Sequence, residues 1–270
     1  MALVAPAPLG FERSPVPGAT LEDLDLEAVE AYLHKRTPAL AESMSLELLA
    51  GRLGLLGKAQ SKPTPTVAGL LSFGLLPQLH RPEWGLSIVR VDGRVLSDAI
   101  EERVDLEGSI PAMREQALSY ILKHTRTIPD DVETSDGAEA PESHSEYPIA
   151  AVREALTNAL VHRDLRLSGR VAVRLFSDRM EIWNPGGLTA AVQLEEQAQH
   201  GGVSFPRNPL LASTMRTLGL MEQIGRGLPL IRRAVQRAGS GQIQIIGTQA
   251  DCKVVLPSAL VGPRSAHADH

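Results

Sequence analysis

The stretch from Pro129 to Glu146 sets the first limit on what this chain can fold into. It is acidic, carries Ser, Gly and Pro, and holds almost no apolar residues. Such a segment buries too little surface to offset the entropy lost on ordering it. Cores must therefore form on either side of it, and it reads as a linker with room for one short hidden strand. The chain then divides into an α+β regulatory part at 1–128, an acidic linker at 129–146, a second folded part at 147–258 and a disordered tail at 259–270.

A length of 270 residues suits two ordinary domains or one large one. Aromatic residues make up only 3% of the chain, so aliphatic side chains and alanine must fill the cores. The net charge of −5 excludes a uniformly basic protein that coats nucleic acid, while leaving room for local basic faces. Cys252 is the single cysteine, so no internal disulfide forms; we expect a buried strand residue rather than a nucleophile, in a cytoplasmic chain. The N-terminal MALVAPAPLG lacks the basic start and apolar run of a secretory signal, and no stretch has the length to cross a bilayer.

Before the linker, apolar spacing predicts helices over Leu21 to Lys35, with Thr20 and Asp23 as an imperfect capping box, over Ser45 to Leu56, and over Ile110 to Thr127. Leu86 to Val91 reads as a strand, and Asp92-Gly93 as the turn that joins it to Arg94 to Leu96. Gly57-Lys58 superficially suggests a phosphate loop. Arg52 stands where that motif needs its first glycine, and Ala59 replaces the magnesium-binding hydroxyl, so the segment reads as a loop between helices. After the linker, a helix over Tyr147 to His162 is followed by strands Val171 to Phe176 and Met180 to Trp183. A helix then starts at Asn208-Pro209 and ends at Gly219, another runs from Gly227 to Ala238, and strands at Gln242 to Ile246 and Lys253 to Leu256 close the pattern.

Three elements of this second part carry chemistry. On the helix YPIAAVREALTNALVHRD, Ile149, Val152, Leu156 and Leu160 share one face, while Glu154, Asn158 and His162 form a polar row on the other. A carboxamide oxygen ligates a hard cation such as magnesium, and a carboxylate one turn away can orient or deprotonate a water beside a phosphoryl group. Alone, such a pair far more often marks the solvated side of an amphipathic helix. The second element is the strand end Asn184-Pro185-Gly186-Gly187, where a polar side chain could read a nucleobase and Gly186 could let backbone approach a ligand; alone, it is a simple turn. The third is Gly225-Arg226-Gly227-Leu228 at the start of a helix, where free N–H groups and the positive dipole end favour phosphate. Alone it equally describes a hinge. Between the second and third lies a Gly- and Pro-bearing segment around His200 to Pro206 that could close as a lid.

In this order the three elements resemble the GHKL nucleotide-binding fold of histidine kinases, gyrase and the heat-shock chaperone ATPases. Glu154 and Asn158 look like that family's N box, Asn184 to Gly187 its first glycine box, and Gly225 to Leu230 its second. Closer still, YPIAAVREALTNALVHRD, DRMEIWNPGGL and RNPLLASTMRTLGLMEQIGRGLPLIRRAV resemble the RecG-like C-terminal ATP-binding region of prokaryotic transcriptional regulators. The upstream ERSPVPGATLEDLDLEAVEAYL and PTVAGLLSFGLLPQ resemble the middle of the same proteins, so the likeness runs from about residue 11 to 257. Such proteins usually begin with an AlbA-like, Schlafen-type DNA-binding domain, and the chain starts past the place where one would end.

The resemblance implies a GHKL-type (Bergerat) two-layer α/β sandwich with a mixed sheet. It implies ATP or ADP with magnesium as cofactors, with Glu154 as the base and Asn158 as the metal ligand. His162, Asn184, Gly186, Gly187, Gly225, Arg226, Gly227 and Leu228 would complete the nucleotide site. Three positions depart from the family pattern: Asn184 stands for an adenine-reading Asp, Leu188 for a glycine and Pro229 for another, the last removing a backbone donor.

Three functions follow: a nucleotide-responsive regulator linked to transcription or DNA, with weak ATPase activity open; a dimerisation module that has kept the fold and lost the nucleotide; and a DNA-binding protein using Arg226, Arg232, Arg233 and Arg237. The partners this admits are nucleotide, DNA and a second copy of the chain, with no membrane. Arg163 and Asp164 are expected to fix the loop after the helix, and Arg207 to be a surface residue or to reach phosphates across the lid.

Overall fold

The computed structural model describes residues 10–128, 144–187, 206–221, 227–237 and 241–260, with the backbone alone at 127, 128, 144, 227–229 and 237. Its helices are α1 (Leu26–Arg36), α2 (Pro38–Ala41), α3 (Leu46–Leu53), α4 (Val67–Phe73), α5 (Ile110–His124), α6 (Ile149–His162), α7 (Pro209–Leu218) and α8 (Gly227–Arg237). Its strands are β1 (Leu56–Ala59), β2 (Lys62–Pro65), β3 (Leu86–Asp92), β4 (Ala99–Leu106), β5 (Thr127–Ile128), β6 (His144–Ser145), β7 (Val171–Leu175), β8 (Arg179–Pro185), β9 (Gln244–Gly247) and β10 (Asp251–Pro257).

Six strands form one mixed sheet in the order β4-β3-β7-β8-β10-β9. Every neighbouring pair is antiparallel except β3 and β7, which run parallel with Leu86 beside Val171 and Ile88 beside Val173. Parallel neighbours need a long crossover, and here it contains α5 and α6. The sheet is therefore shared by residues on both sides of the acidic stretch. One hydrophobic core runs from Val16 to Leu256 without a break at 129–146. The physical reason lies in β3: Leu86 and Ile88 are fully buried only because β7 continues the same apolar face. Within the expected linker, the short β6 pairs with β5.

The sheet has two unlike faces. Leu86, Ile88, Val171, Val173, Met180, Ile182 and Leu256 point into the helical layer and are buried. On the opposite face Glu181 binds Arg179 (2.9 Å), Lys253 (3.2 Å) and Arg174 (3.6 Å), and Arg174 lies over Trp183. This is an α+β, two-layer GHKL-like sandwich, with the first helices and the β1–β2 hairpin built onto its helical side.

Several local expectations change. Gly57-Lys58 sits in β1 of a hairpin, not in a loop between helices. Its two turn residues, Gln60 and Ser61, both have positive φ (49° and 66°), a conformation that usually selects Asn or Gly, so composition gave no warning. The strand after Asp92-Gly93 begins at Ala99 rather than Arg94, because the Asp98 carboxylate accepts hydrogen bonds from the Arg94 and Val95 N–H groups and holds 94–98 as a loop. The helix expected from Leu21 is a 3₁₀ turn closed by the Thr20–Asp23 box, after which Asp25 caps α1 through the Ala28 N–H (2.9 Å).

Candidate functional site

Helix α6 is the centre of the site. Ala151, Val152, Ala155, Leu156, Thr157, Ala159, Leu160 and Val161 are all buried, since α5, α7, α8 and β8 pack around it. It is thus enclosed on more than the one apolar face expected. Glu154, Asn158 and His162 are half-buried, in the polar row that the spacing predicted.

Asn158 Nδ2 donates to Glu154 Oε1 at 3.0 Å. That bond directs the Asn158 Oδ1 away from the carboxylate, and Oδ1 accepts no hydrogen bond from another described residue. An oxygen donor of this kind suits a hard cation. Among the described residues no group of three His, Cys, Asp or Glu side chains gathers to hold a metal alone. A magnesium ion would therefore have to take most of its ligands from water and phosphate, as that ion commonly does. His162 is held neutral: burial, with Arg207 and Arg216 nearby, pushes its pKa down to about 4.

Strand β8 packs against α6 and carries Asn184, which lies opposite Cys252 in the β8–β10 register. Asn184 is 8% exposed overall; its carboxamide makes no hydrogen bond to another described residue and is not closed off from solvent. Burial pushes the half-buried Cys252 thiol up to about 11, which leaves it protonated and unsuited to nucleophilic work.

The glycines after Asn184 are explained by packing. Gly186 has φ +109°, and a Cβ there would meet Arg207 Nη1 at 2.0 Å and the Asp164 N at 2.8 Å. A Cβ on Gly187 would meet the Thr248 carbonyl oxygen at 2.2 Å. Arg207 clasps this turn: it donates to the His162 carbonyl at 3.1 Å and to the Gly187 carbonyl. It is a half-buried tie between the end of α6 and the strand end, not a surface arginine. The loop after α6 is fixed as expected, with different partners. Buried Arg163 donates to the carbonyls of Glu83 (2.7 Å) and Gly169 (2.8 Å), while Asp164 takes a two-pronged contact from Arg166 (3.0 and 2.7 Å).

Glu12 escaped the sequence reading. Asn208 stands at the start of α7 as expected, but its side chain caps nothing at its own helix. Its amide donates to the Val161 (2.8 Å) and Arg163 (2.9 Å) carbonyls at the end of α6. The start of α7 is capped instead by Glu12, whose carboxylate accepts from the Leu210 (2.7 Å) and Leu211 (2.8 Å) N–H groups. Nothing in the Pro- and Ala-rich first residues signals a contact across that much chain.

At the third element, Gly227 and Leu228 begin α8, whose Ile231 and Val235 are buried; α8 packs against α6. Gly225, Arg226, Leu188 and the expected lid through Phe205 lie outside the described residues. So does the far part of the expected tail, 261–270. Arg233 is exposed on α8.

Comparison with known proteins bears on the part of the fold that follows α6. Residues 169–256 match a family model described as "Putative ATP-dependent DNA helicase recG C-terminal". No curated protein matches the sequence. Among solved structures, the chain is similar to the DIP2311 protein from Corynebacterium diphtheriae, with 26% identity and a TM-score of 0.62. The match covers 92% of this chain and 46% of that one, so the chain spans about half the length of this relative. No helix among the described residues is long and apolar enough to cross a membrane.

Proposed function

We propose that this chain is a nucleotide-responsive regulatory protein. It binds ATP or ADP, with magnesium, between the Glu154/Asn158 row of α6 and the Gly225 to Leu228 stretch at the head of α8, and it acts in transcription or on DNA. The observation that carries the reading is a pair of carboxamides on adjacent elements, Asn158 on α6 and Asn184 on β8, neither of which satisfies its oxygen within the described fold. Neither oxygen is sealed from solvent, so a ligand can take the place of water at both without breaking a bond inside the fold. The family match over 169–256 supports the same reading.

In this reading the Asn158 Oδ1 ligates magnesium, which when bound supplies charge neutralisation to the phosphates. Asn184 accepts a hydrogen bond from a base amino group, without the charge of an aspartate. Glu154 holds a water by its carboxylate, so any hydrolysis is slow and depends on it. Neutral His162 contributes shape and a hydrogen bond rather than a cation. The test is a calorimetric titration with Mg-ATP and Mg-ADP. Saturable binding that Asn158→Ala weakens by about tenfold or more is expected. No heat and no thermal stabilisation at millimolar nucleotide refutes it.

One observation favours a second reading, a fold kept for packing and partner recognition. Gly186 and Gly187 are required by Arg207, Asp164 and Thr248 with no ligand involved. Under this reading Asn158→Ala changes nothing measurable with nucleotide, and Gly187→Ala alters stability alone.

A further inference from the structure

A second concave site lies outside the nucleotide reading. It is a cleft of about 620 Å³, walled by α1, the end of α4, the start of α5 and the residues after α7. Most of its wall is apolar: Tyr32 and Phe73, whose rings meet at 5.2 Å, with Leu218 and Leu220 from the segment closing α7. A volume of this order suits a small organic molecule.

Two hydroxyls interrupt that wall. Ser72 lines the cleft, is 2% exposed, and its Oγ has no hydrogen-bond partner. A helical serine ordinarily returns its hydroxyl to a carbonyl one turn earlier, and Ser72 does not. Tyr32, also 2% exposed as a residue, makes no hydrogen bond through its hydroxyl to another described residue, and that hydroxyl is not sealed from solvent. Native interiors rarely leave a group such as the Ser72 hydroxyl unpaired without a ligand or water to meet it. Both hydroxyls can donate, so together they call for an acceptor oxygen at the end of an apolar body. Exposed Lys35 stands at the rim, and Asp25 is engaged in capping α1.

We propose that this cleft binds a small apolar molecule carrying a carbonyl-type acceptor head, a carboxylate or a carboxamide, with Ser72 and Tyr32 donating to the head and Phe73, Leu218 and Leu220 holding the body. The site stands whether or not nucleotide binds at α6.

The experiment uses the full chain and three probes of one shape: 4-phenylbutyrate, 4-phenylbutyramide and butylbenzene. Binding is followed by calorimetry and by the methyl resonances of Leu218 and Leu220. Saturable binding of the acid or the amide, with Kd below about 1 mM, is expected, and butylbenzene should bind at least about fivefold more weakly. Preference for the acid that Lys35→Gln removes would identify the carboxylate; equal binding would identify the neutral head. Ser72→Ala should raise the Tm of the free protein, since it deletes an unpaired buried hydroxyl, and should weaken binding of the head-bearing probes alone. Ala31→Trp, at an exposed wall position, should block every probe while leaving the core intact. The proposal fails if no probe binds, if butylbenzene binds as tightly as the others, or if Ser72→Ala and Ala31→Trp leave binding unchanged. It fails equally if the chain self-associates and Ala31→Trp abolishes that, for the cleft would then seat a second copy.

Discussion

Helices α6 and α7 meet in the fold and are held in opposite ways. The polar row of α6 is local: Glu154, Asn158 and His162 recur at a spacing of four, and the bond from Asn158 to Glu154 spans one turn. What holds α7 is distant in sequence. Glu12 closes its first turn from the other end of the chain, and Asn208 turns away from its own helix to close α6. The residues proposed to act on a ligand thus sit on a helix legible from its own spacing. The residues that fix that helix in place come from elsewhere.

The largest effect should come from the distant cap. Glu12→Ala leaves two buried N–H groups at the start of α7 without acceptors and removes a carboxylate from the positive end of the helix. A loss of about 3 kcal/mol in urea unfolding is expected. Glu12→Gln keeps an acceptor and should cost less than half of that. Burial raises the Glu12 pKa above its ordinary 4.5, against the pull of the two N–H groups and of Arg13. The folded state therefore holds this proton more tightly than the unfolded state does. Stability falls as pH climbs through the window just above 4.5, and Glu12→Gln removes that slope.

Next in size is Asn208→Ala, which strips donors from the Val161 and Arg163 carbonyls. A cost of about 2 kcal/mol is expected, with faster hydrogen exchange at the end of α6 before global unfolding. An equal loss spread over the whole chain would show that Asn208 does not act on α6 in particular.

How much of this was legible follows the same division. The polar row of α6, the strand pair β7–β8 and the start of α8 all rest on contacts within a few residues, and spacing alone located them. The sheet did not divide at the acidic stretch, because β3 completes its apolar face only against β7, a pairing that no local pattern of either strand specifies. Arg207 read as a surface residue since its partners, the His162 and Gly187 carbonyls, are backbone atoms of other elements. The β1–β2 turn was hidden by Gln60 and Ser61, which adopt positive φ without the usual residue types. Glu12 carried no signal at all.

A third effect tests the end of the α6 row. His162 is depressed to about 4 from 6.5 by burial and by Arg207 and Arg216, so the unfolded state binds its proton first. Stability from this group is complete above 6.5 and is lost as pH falls toward 4. The full shift corresponds to roughly 3 kcal/mol as an upper bound; the residue as a whole is half-buried, so roughly 2 kcal/mol is the expected loss. This slope has the opposite sign to that of Glu12. The two are separated by comparing His162→Asn with Glu12→Gln over the same pH series.

The smallest effect is the most informative about function. Asn158 is half-buried, and its one side-chain bond goes to a neighbour one turn away. Asn158→Ala should therefore change stability by less than about 0.5 kcal/mol, since alanine also favours the helix. If nucleotide binds at α6, the same substitution removes the cation's protein ligand and weakens Mg-ATP far more than it weakens the fold. A protein indifferent to Asn158→Ala in stability but not in nucleotide affinity separates ligand from scaffold on this helix. Loss of stability matching the loss of affinity would make Asn158 a structural residue like Asn208, and the contrast between α6 and α7 would disappear.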